Sequence, residues 1–91
     1  MAKFEWDETK NKSNFQKHKV WFEEAQTVWA DFKAEEFFDP DHSETEDRFI
    51  RIGFSTKLRV LLVVFCERSK NSIRIISARP ATPKERVQYE K

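Results

Sequence analysis

Glycine, cysteine, tyrosine and methionine occur once each in this 91-residue chain, and proline three times. With Gly53 as the only glycine, neither a phosphate-cradling P-loop nor a dinucleotide fingerprint can be built, since each needs several. The lone Cys66 has no partner for an internal disulfide, which fits a reducing compartment. Placed in the most apolar stretch, it reads as a small core residue. So little glycine and proline argues against a disordered chain or a flexible linker. The longest uninterrupted apolar run, Val60 to Cys66, is far short of the roughly 20 residues that span a bilayer. Met1-Ala2-Lys3-Phe4-Glu5 has no apolar region of signal-peptide length, so the expectation is a cytoplasmic protein with no membrane partner. His18 and His42 lie too far from Cys66 in sequence to suggest a zinc site. Asp39, Asp41, Ser43 and Glu44 resemble part of a calcium loop but lack its glycine and distal glutamate. No metal or cofactor is expected.

What the chain does have is thirteen aromatic residues, nine of them Phe, enough for one core in a single domain spanning 1–91. Three segments read as consecutive strands: Arg48 to Phe54, Arg59 to Cys66, and Ser72 to Arg79. Short polar breaks, Ser55-Thr56-Lys57 and Ser69-Lys70-Asn71, predict hairpins and hence an antiparallel meander. The middle run, apolar throughout, suits a central strand covered on both faces. By the period of two, Ile50, Ile52 and Phe54 share one face of the first strand, opposite Phe49, Arg51 and Gly53. The same alternation groups Arg74 with Ile76 and Ala78, and Arg79 with Ile73, Ile75 and Ser77.

Before the meander, Ala2 to Trp6 reads as a short strand. Asp7 stands as the N-cap of a polar helix from Glu8 to His18, turning Phe15 inward, with Lys10, Asn14, Lys17 and His18 on one exposed stripe. That stripe is a solvated face or a binding stripe. A second helix, Phe22 to Phe32, would place Phe22, Ala25, Val28, Trp29 and Phe32 on the sheet, leaving Glu23, Glu24 and Gln26 to solvent. Glu35 to Phe38 suggests a brief edge strand before an Asp39-Pro40 turn. At the other end, Thr82-Pro83-Lys84-Glu85 is a capping box with proline at the first helical position, opening a helix to Glu90. The fold class is α+β.

Charge is segregated along the chain. Residues 1–47 hold 6 Lys/Arg against 13 Asp/Glu, and residues 48–91 hold 11 against 3. A basic half carrying the sheet suits a polyanion such as RNA, or an acidic protein partner. Metal-free RNA cleavage needs a base for the 2′-hydroxyl proton, cations for the charge on the phosphorane, and an acid for the leaving 5′-oxygen. Arginine supplies the cation with a planar fork of donors. Arg48, Arg51, Arg59 and Arg79 are candidates for holding phosphate. His42 titrates in the useful range and leads into the first arginine strand, with Glu46 beside it. For His42 a loop hydrogen bond is the alternative role, and for Tyr89 packing on the sheet is the alternative to proton donation or base stacking. The tryptophans Trp6, Trp21 and Trp29 read as core and interface.

Ordered motifs run through nearly the whole sequence: Phe4-Glu5-Trp6-Asp7, Lys10, Asn14, Lys17-His18, Phe22-Glu23-Glu24-Ala25, Asp41-x-His42-Ser43, Glu46, Arg48, and Arg74-Ile75-Ile76-Ser77-Ala78-Arg79 with Glu85 and Tyr89. In these the chain resembles the BrnT toxins of bacterial type II toxin–antitoxin systems. The resemblance implies a compact RelE-like fold, with two helices before an antiparallel sheet and a short helix after it. It implies a metal-independent endoribonuclease that inhibits translation and leaves a 2′,3′-cyclic phosphate. A BrnA-like antitoxin would neutralise it in an autoregulatory complex, such as a hetero-tetramer, that meets operator DNA only through the antitoxin. Site residues follow as expectations: His42, Glu46, Arg79 and Tyr89 in catalysis, and Arg48, Arg51, Arg59 and Arg74 on RNA phosphates. A degenerate toxin kept as a non-catalytic co-repressor is the rival reading. Three departures from the family pattern stand out: Lys19 where glycine is usual, Ser55-Thr56-Lys57-Leu58 in a hairpin that commonly has one, and Pro80 in place of a frequently basic residue.

Overall fold

The computed structural model describes residues 2–42 and 46–90, with His42 described through its backbone. Ser43 of the Asp-x-His-Ser motif, and Ser43 and Glu44 of the discarded calcium loop, lie outside the described residues. The meander forms as its β-branched runs predict: Arg48–Phe54, Val60–Ser69 and Ser72–Pro80 pair antiparallel, the last two joined by a turn at Lys70-Asn71. Numbered in chain order, these are β3, β4 and β5. β2, Glu35–Asp39, adds an outer antiparallel strand against β3. β1, Lys3–Glu5, pairs with β5 in parallel, so the five-stranded sheet β1-β5-β4-β3-β2 is mixed rather than wholly antiparallel. The reason is connectivity, because two helical segments rather than a hairpin separate β1 from the meander.

The helix layer covers one face. It comprises α1 (Glu8–His18), α2 (Phe22–Ala25) and a 3-10 stretch, Gln26–Ala30. Val20, Phe22, Ala25 and Val28 pack there on Leu61, Val63, Ile75 and Ala78, with Phe4, Trp6 and Trp29 closing the rim. Gly53 is required in this layer: a Cβ there would stand 3.0 Å from the Ala34 side chain and 3.1 Å from that of Val28. The opposite face carries Ile52, Val60 and Leu62, flanked by Ile50, Val64, Ala81 and Tyr89, and α3 (Pro83–Tyr89) covers only one end of it. The remainder is open.

The second helix differs from its expected span. The Thr27 hydroxyl donates to the Glu24 carbonyl at 2.6 Å, the turn tightens to 3-10, and the Asp31 carboxylate accepts the backbone N–H groups of Lys33 and Phe54. The chain therefore leaves the helix at Asp31, and Phe32, expected in the core, is 92% exposed. Glu24, assigned by periodicity to the solvent, is buried, taking two hydrogen bonds from Arg59 and one from the Ser55 hydroxyl.

α1 is anchored by amides instead of an apolar stripe; its buried residues are Asn11 and Asn14. Asn11 accepts the Phe22 N–H at 2.7 Å and donates to Glu23 at 2.9 Å. Asn14 is removed from the exposed stripe expected of it: its carboxamide donates to the carbonyls of Ala78 (2.8 Å) and Val20 (2.9 Å) and accepts the Ala78 N–H at 3.1 Å. Phe15 stacks on Trp21 with ring centroids 4.2 Å apart.

Two non-glycine residues adopt a conformation that favours glycine. Lys19, the C-cap of α1, has φ 59°, with its N–H donating to the Phe15 carbonyl, and Leu58 in the β3–β4 hairpin has φ 64°. Both sit in the left-handed region, which costs a non-glycine residue roughly 1–2 kcal/mol. Lys19→Gly and Leu58→Gly are each expected to raise the unfolding free energy by about 1 kcal/mol in urea titrations. Asn14→Leu is expected to lower it by about 3 kcal/mol, since it strands two carbonyls and an N–H in the interior.

Candidate active site

On the open face the arginines are sorted by one irregularity. Val64 stands opposite Ser77, but Phe65 stands opposite Ile75, so Ile76 is an extra residue in β5. The bulge breaks the alternation that grouped Arg79 with Ile73 and Ile75. Arg79 instead lies opposite Leu62, and Arg74 opposite Cys66, so both belong to the face of Leu62, Val64 and Cys66. Arg48, opposite Asp39 across the β2–β3 pair, shares it with Ile50 and Ile52.

These residues enclose a groove of about 430 Å³. Ile50, Leu62, Val64 and Ile76 form its floor, and Arg48, Asp39, Ser77, Arg79 and Glu85 its walls. An apolar floor bounded by guanidinium groups suits a nucleobase lying flat with its phosphate at the rim.

The best-defined part is the Arg79–Glu85 pair. The capping box forms as its sequence predicts: the Thr82 hydroxyl accepts the Glu85 N–H, and the Glu85 carboxylate accepts the Thr82 N–H at 2.9 Å. The same carboxylate takes two 2.8 Å hydrogen bonds from the terminal nitrogens of Arg79. Those bonds hold the Glu85 carboxyl down to about 2 against the opposing effect of burial, and they push the Arg79 guanidinium further up, keeping it cationic. One residue thus starts α3 and orients the arginine fork.

The other expected site residues are dispersed. His42 ends a 3-10 turn, Pro40–His42, directly after β2, on the strand end that carries Asp39. Glu46 accepts from Arg68 at 3.3 Å, and burial and then this carboxylate raise the pKa of the Cys66 thiol. Arg74 sits 3.9 Å from Glu5. Arg51 and Arg59 point into the helix layer. Arg51 lies over the Trp29 ring, 5.1 Å from its centroid, paired with Glu36 and donating to the Asp31 carbonyl, while Arg59 is paired with Glu24 and donates to the Lys19 carbonyl. Tyr89 packs against the Ile52, Val60 and Leu62 cluster and donates its hydroxyl to Asp31. Burial and then Asp31 push its phenol up to about 12. Burial would raise Asp31, but the hydrogen bonds from Tyr89 and from the Phe54 and Lys33 N–H groups bring it down. Among the described residues, no three His, Cys, Asp or Glu side chains are grouped to hold a metal ion. In the sequence Glu85 stands out only as part of a motif and a helix cap. Its i−6 relation to Arg79 becomes a contact only because the chain reverses at Pro80-Ala81.

The depressed carboxyl of Glu85 stabilises the folded state above its ordinary value of 4.5, and this contribution is lost as pH falls from there towards 2. With the pair 37% and 27% exposed, screening reduces the effect to about 1 kcal/mol. Urea unfolding of wild type and Glu85→Gln should differ by that amount at pH 7 and converge as pH approaches 2.

A family model described as the ribonuclease toxin BrnT of type II toxin–antitoxin systems matches residues 6–85. The crystal structure of the Brucella abortus ribonuclease toxin BrnT is similar in fold, with a TM-score of 0.69 and 25% identity over 90% of this chain and 99% of that one. No curated protein matches the sequence. The matched span runs from the residue after β1 through the sheet to Glu85, taking in both arginines of the groove and the carboxylate that orients one of them. The chain therefore belongs to the BrnT family of ribonuclease toxins of type II toxin–antitoxin systems.

Proposed function

We propose that this chain is a metal-independent endoribonuclease whose reaction takes place in the groove on the open sheet face. The observation that carries this reading is Arg79, held by the two hydrogen bonds it donates to Glu85 at the rim of an apolar-floored groove that Arg48 also lines. Arg79 and Arg48 grip the non-bridging oxygens of the scissile phosphate, where charge grows as the phosphorane forms. Arg74 binds a neighbouring phosphate from the same face. Arg51 and Arg59 are left to the helix layer, where their ion pairs already lie.

His42 and Glu46 supply the base and the acid. The base takes the 2′-hydroxyl proton, the 2′-oxygen attacks phosphorus, the P–O5′ bond breaks, and the leaving oxygen takes a proton from the acid. A 2′,3′-cyclic phosphate and a 5′-hydroxyl result. Tyr89, whose proton is held by Asp31, serves mainly to seat α3 against the groove.

Cleavage of cellular RNA in the cytoplasm by this single domain, 1–91, would halt translation. A BrnA-like antitoxin covering the arginine-bearing face would neutralise it, and the assembled complex, in a form such as a hetero-tetramer, would repress its operon through the antitoxin's DNA contacts. The non-catalytic co-repressor reading draws on one observation: Glu85 already occupies the Arg79 fork.

RNA cleavage in EDTA by wild type, Arg79→Ala and His42→Ala separates the two. Arg79→Ala is expected to lower kcat by about 10²- to 10³-fold, the cost of removing one oxyanion donor, with wild-type products ending in cyclic phosphate. Cleavage by Arg79→Ala within twofold of wild type would rule out this groove, and no cleavage by folded wild type would leave the co-repressor.

A further inference from the structure

Beyond the groove at Arg79 lies a second depression of about 330 Å³, lined by Lys10, Ser13, Lys17 and His18 of α1 and by Ser77 and Arg48. Arg48, Ile76 and Ser77 line both, so the two are continuous around the edge of β5. Lys10, Ser13, Lys17 and His18 recur at helical spacing, which places them on one flank of α1, with the lysines about 10 Å apart along its axis. Among the described residues, no acidic side chain lines this depression, and Lys10 and Lys17 enter no ion pair. Arg51, Arg59, Arg68, Arg74 and Arg79 are each tied to a carboxylate.

We infer that the α1 flank is a backbone-phosphate track that holds the RNA strand one or more nucleotides beyond the bond gripped by Arg79. This deepens the proposed ribonuclease reading and rests on it for the location of the scissile bond. Two features favour a single-stranded polyanion. The two lysines are spaced along the helix axis instead of converging on one point, as a strand of phosphates requires, and Ser13, Ser77 and His18 sit among them as hydrogen-bonding groups. The track is held in place because Asn14, about one helix turn from Lys10 and one from Lys17, is bonded to the backbone of Ala78.

The test is fluorescence anisotropy with a fluorescein-labelled 2′-O-methyl RNA hexamer, which cannot be cleaved, titrated at several salt concentrations. Lys10→Ala/Lys17→Ala should raise Kd roughly tenfold at low salt and reduce the slope of log K against log salt by about 1.4, two phosphate contacts' worth for single-stranded RNA. Lys10→Arg/Lys17→Arg should restore both, which excludes a folding defect as the cause. Wild-type cleavage of an unmodified hexamer is measured alongside. A reduced slope without any cleavage would support the track and remove the ribonuclease reading. Cleavage with an unchanged slope would overturn the track and spare that reading. An unchanged slope with lost binding of poly-glutamate would also overturn it and give the flank to an acidic protein partner.

Discussion

Two hydrogen bonds between the Asn14 carboxamide and the backbone of Ala78 hold the architecture together. β1 reaches only as far as Arg74 along β5, so beyond that point the outer edge of β5 has no neighbouring strand. An exposed edge there would offer unpaired N–H and C=O groups to other chains. Asn14 takes the place of a strand, presenting a donor and an acceptor in the geometry that a neighbouring peptide would use. Because α1 has no apolar stripe, this amide pairing and that of Asn11 decide where the helix lies. The consequence reaches the surface: α1 is held at the sheet edge, and its basic flank turns towards the open face beside Ser77.

The site depends equally on one extra residue in β5. A regular strand would keep residues 75, 77 and 79 on one face, and with Ile75 in the core Arg79 would be driven under the helices. The bulge at Ile76 lets Ile75 and Ala78 both face the core while Ser77 and Arg79 face the groove. The strand then closes on Pro80, and the reversal through Ala81 returns the chain along the open face as α3. Ala81 donates its N–H to the Val60 carbonyl at 2.9 Å, pinning the reversal, so that Glu85 arrives opposite Arg79. The cap of a seven-residue helix thereby becomes part of the site.

The strands and caps were legible because their signals are local. β-branched runs, polar breaks and the Thr82-Pro83-Lys84-Glu85 box depend on neighbours a few residues away, and β3, β4, β5 and α3 appear where those signals put them. What escaped was set at long range. Asn14 looks like a surface residue until Ala78, sixty-four positions on, supplies its partner, and Glu24 looks solvated until Arg59 and Ser55 reach it from the β3–β4 hairpin. Periodicity carried the second helix to Phe32, but the Asp31 carboxylate, recruited by Phe54 from the sheet, ends it first. No pattern within a strand marks the bulge at Ile76. The arginines of the candidate site could be found by residue type, whereas their division between the two faces required the register.

Part of the charge division along the chain is matched by ion pairs within the fold. Arg51 pairs with Glu36, Arg59 with Glu24, Arg68 with Glu46 and Glu5, and Arg74 with Glu5, so each of these contacts joins a cation of the basic half to a carboxylate of the acidic half. Complementary halves favour docking of the helix layer and β2 on the meander over self-association of either. Among the described residues, these four of the eleven cations of the second half are thus engaged by carboxylates of the first. The acidic half, by contrast, contributes Lys10 and Lys17, set beside a depression that among the described residues no carboxylate lines. Attraction for a polyanion follows from charge left uncompensated at a surface, and this is fixed by which carboxylates the fold has already consumed. In this molecule ion pairs engage several of the sheet arginines, while Lys10 and Lys17 stand together where α1 meets β5.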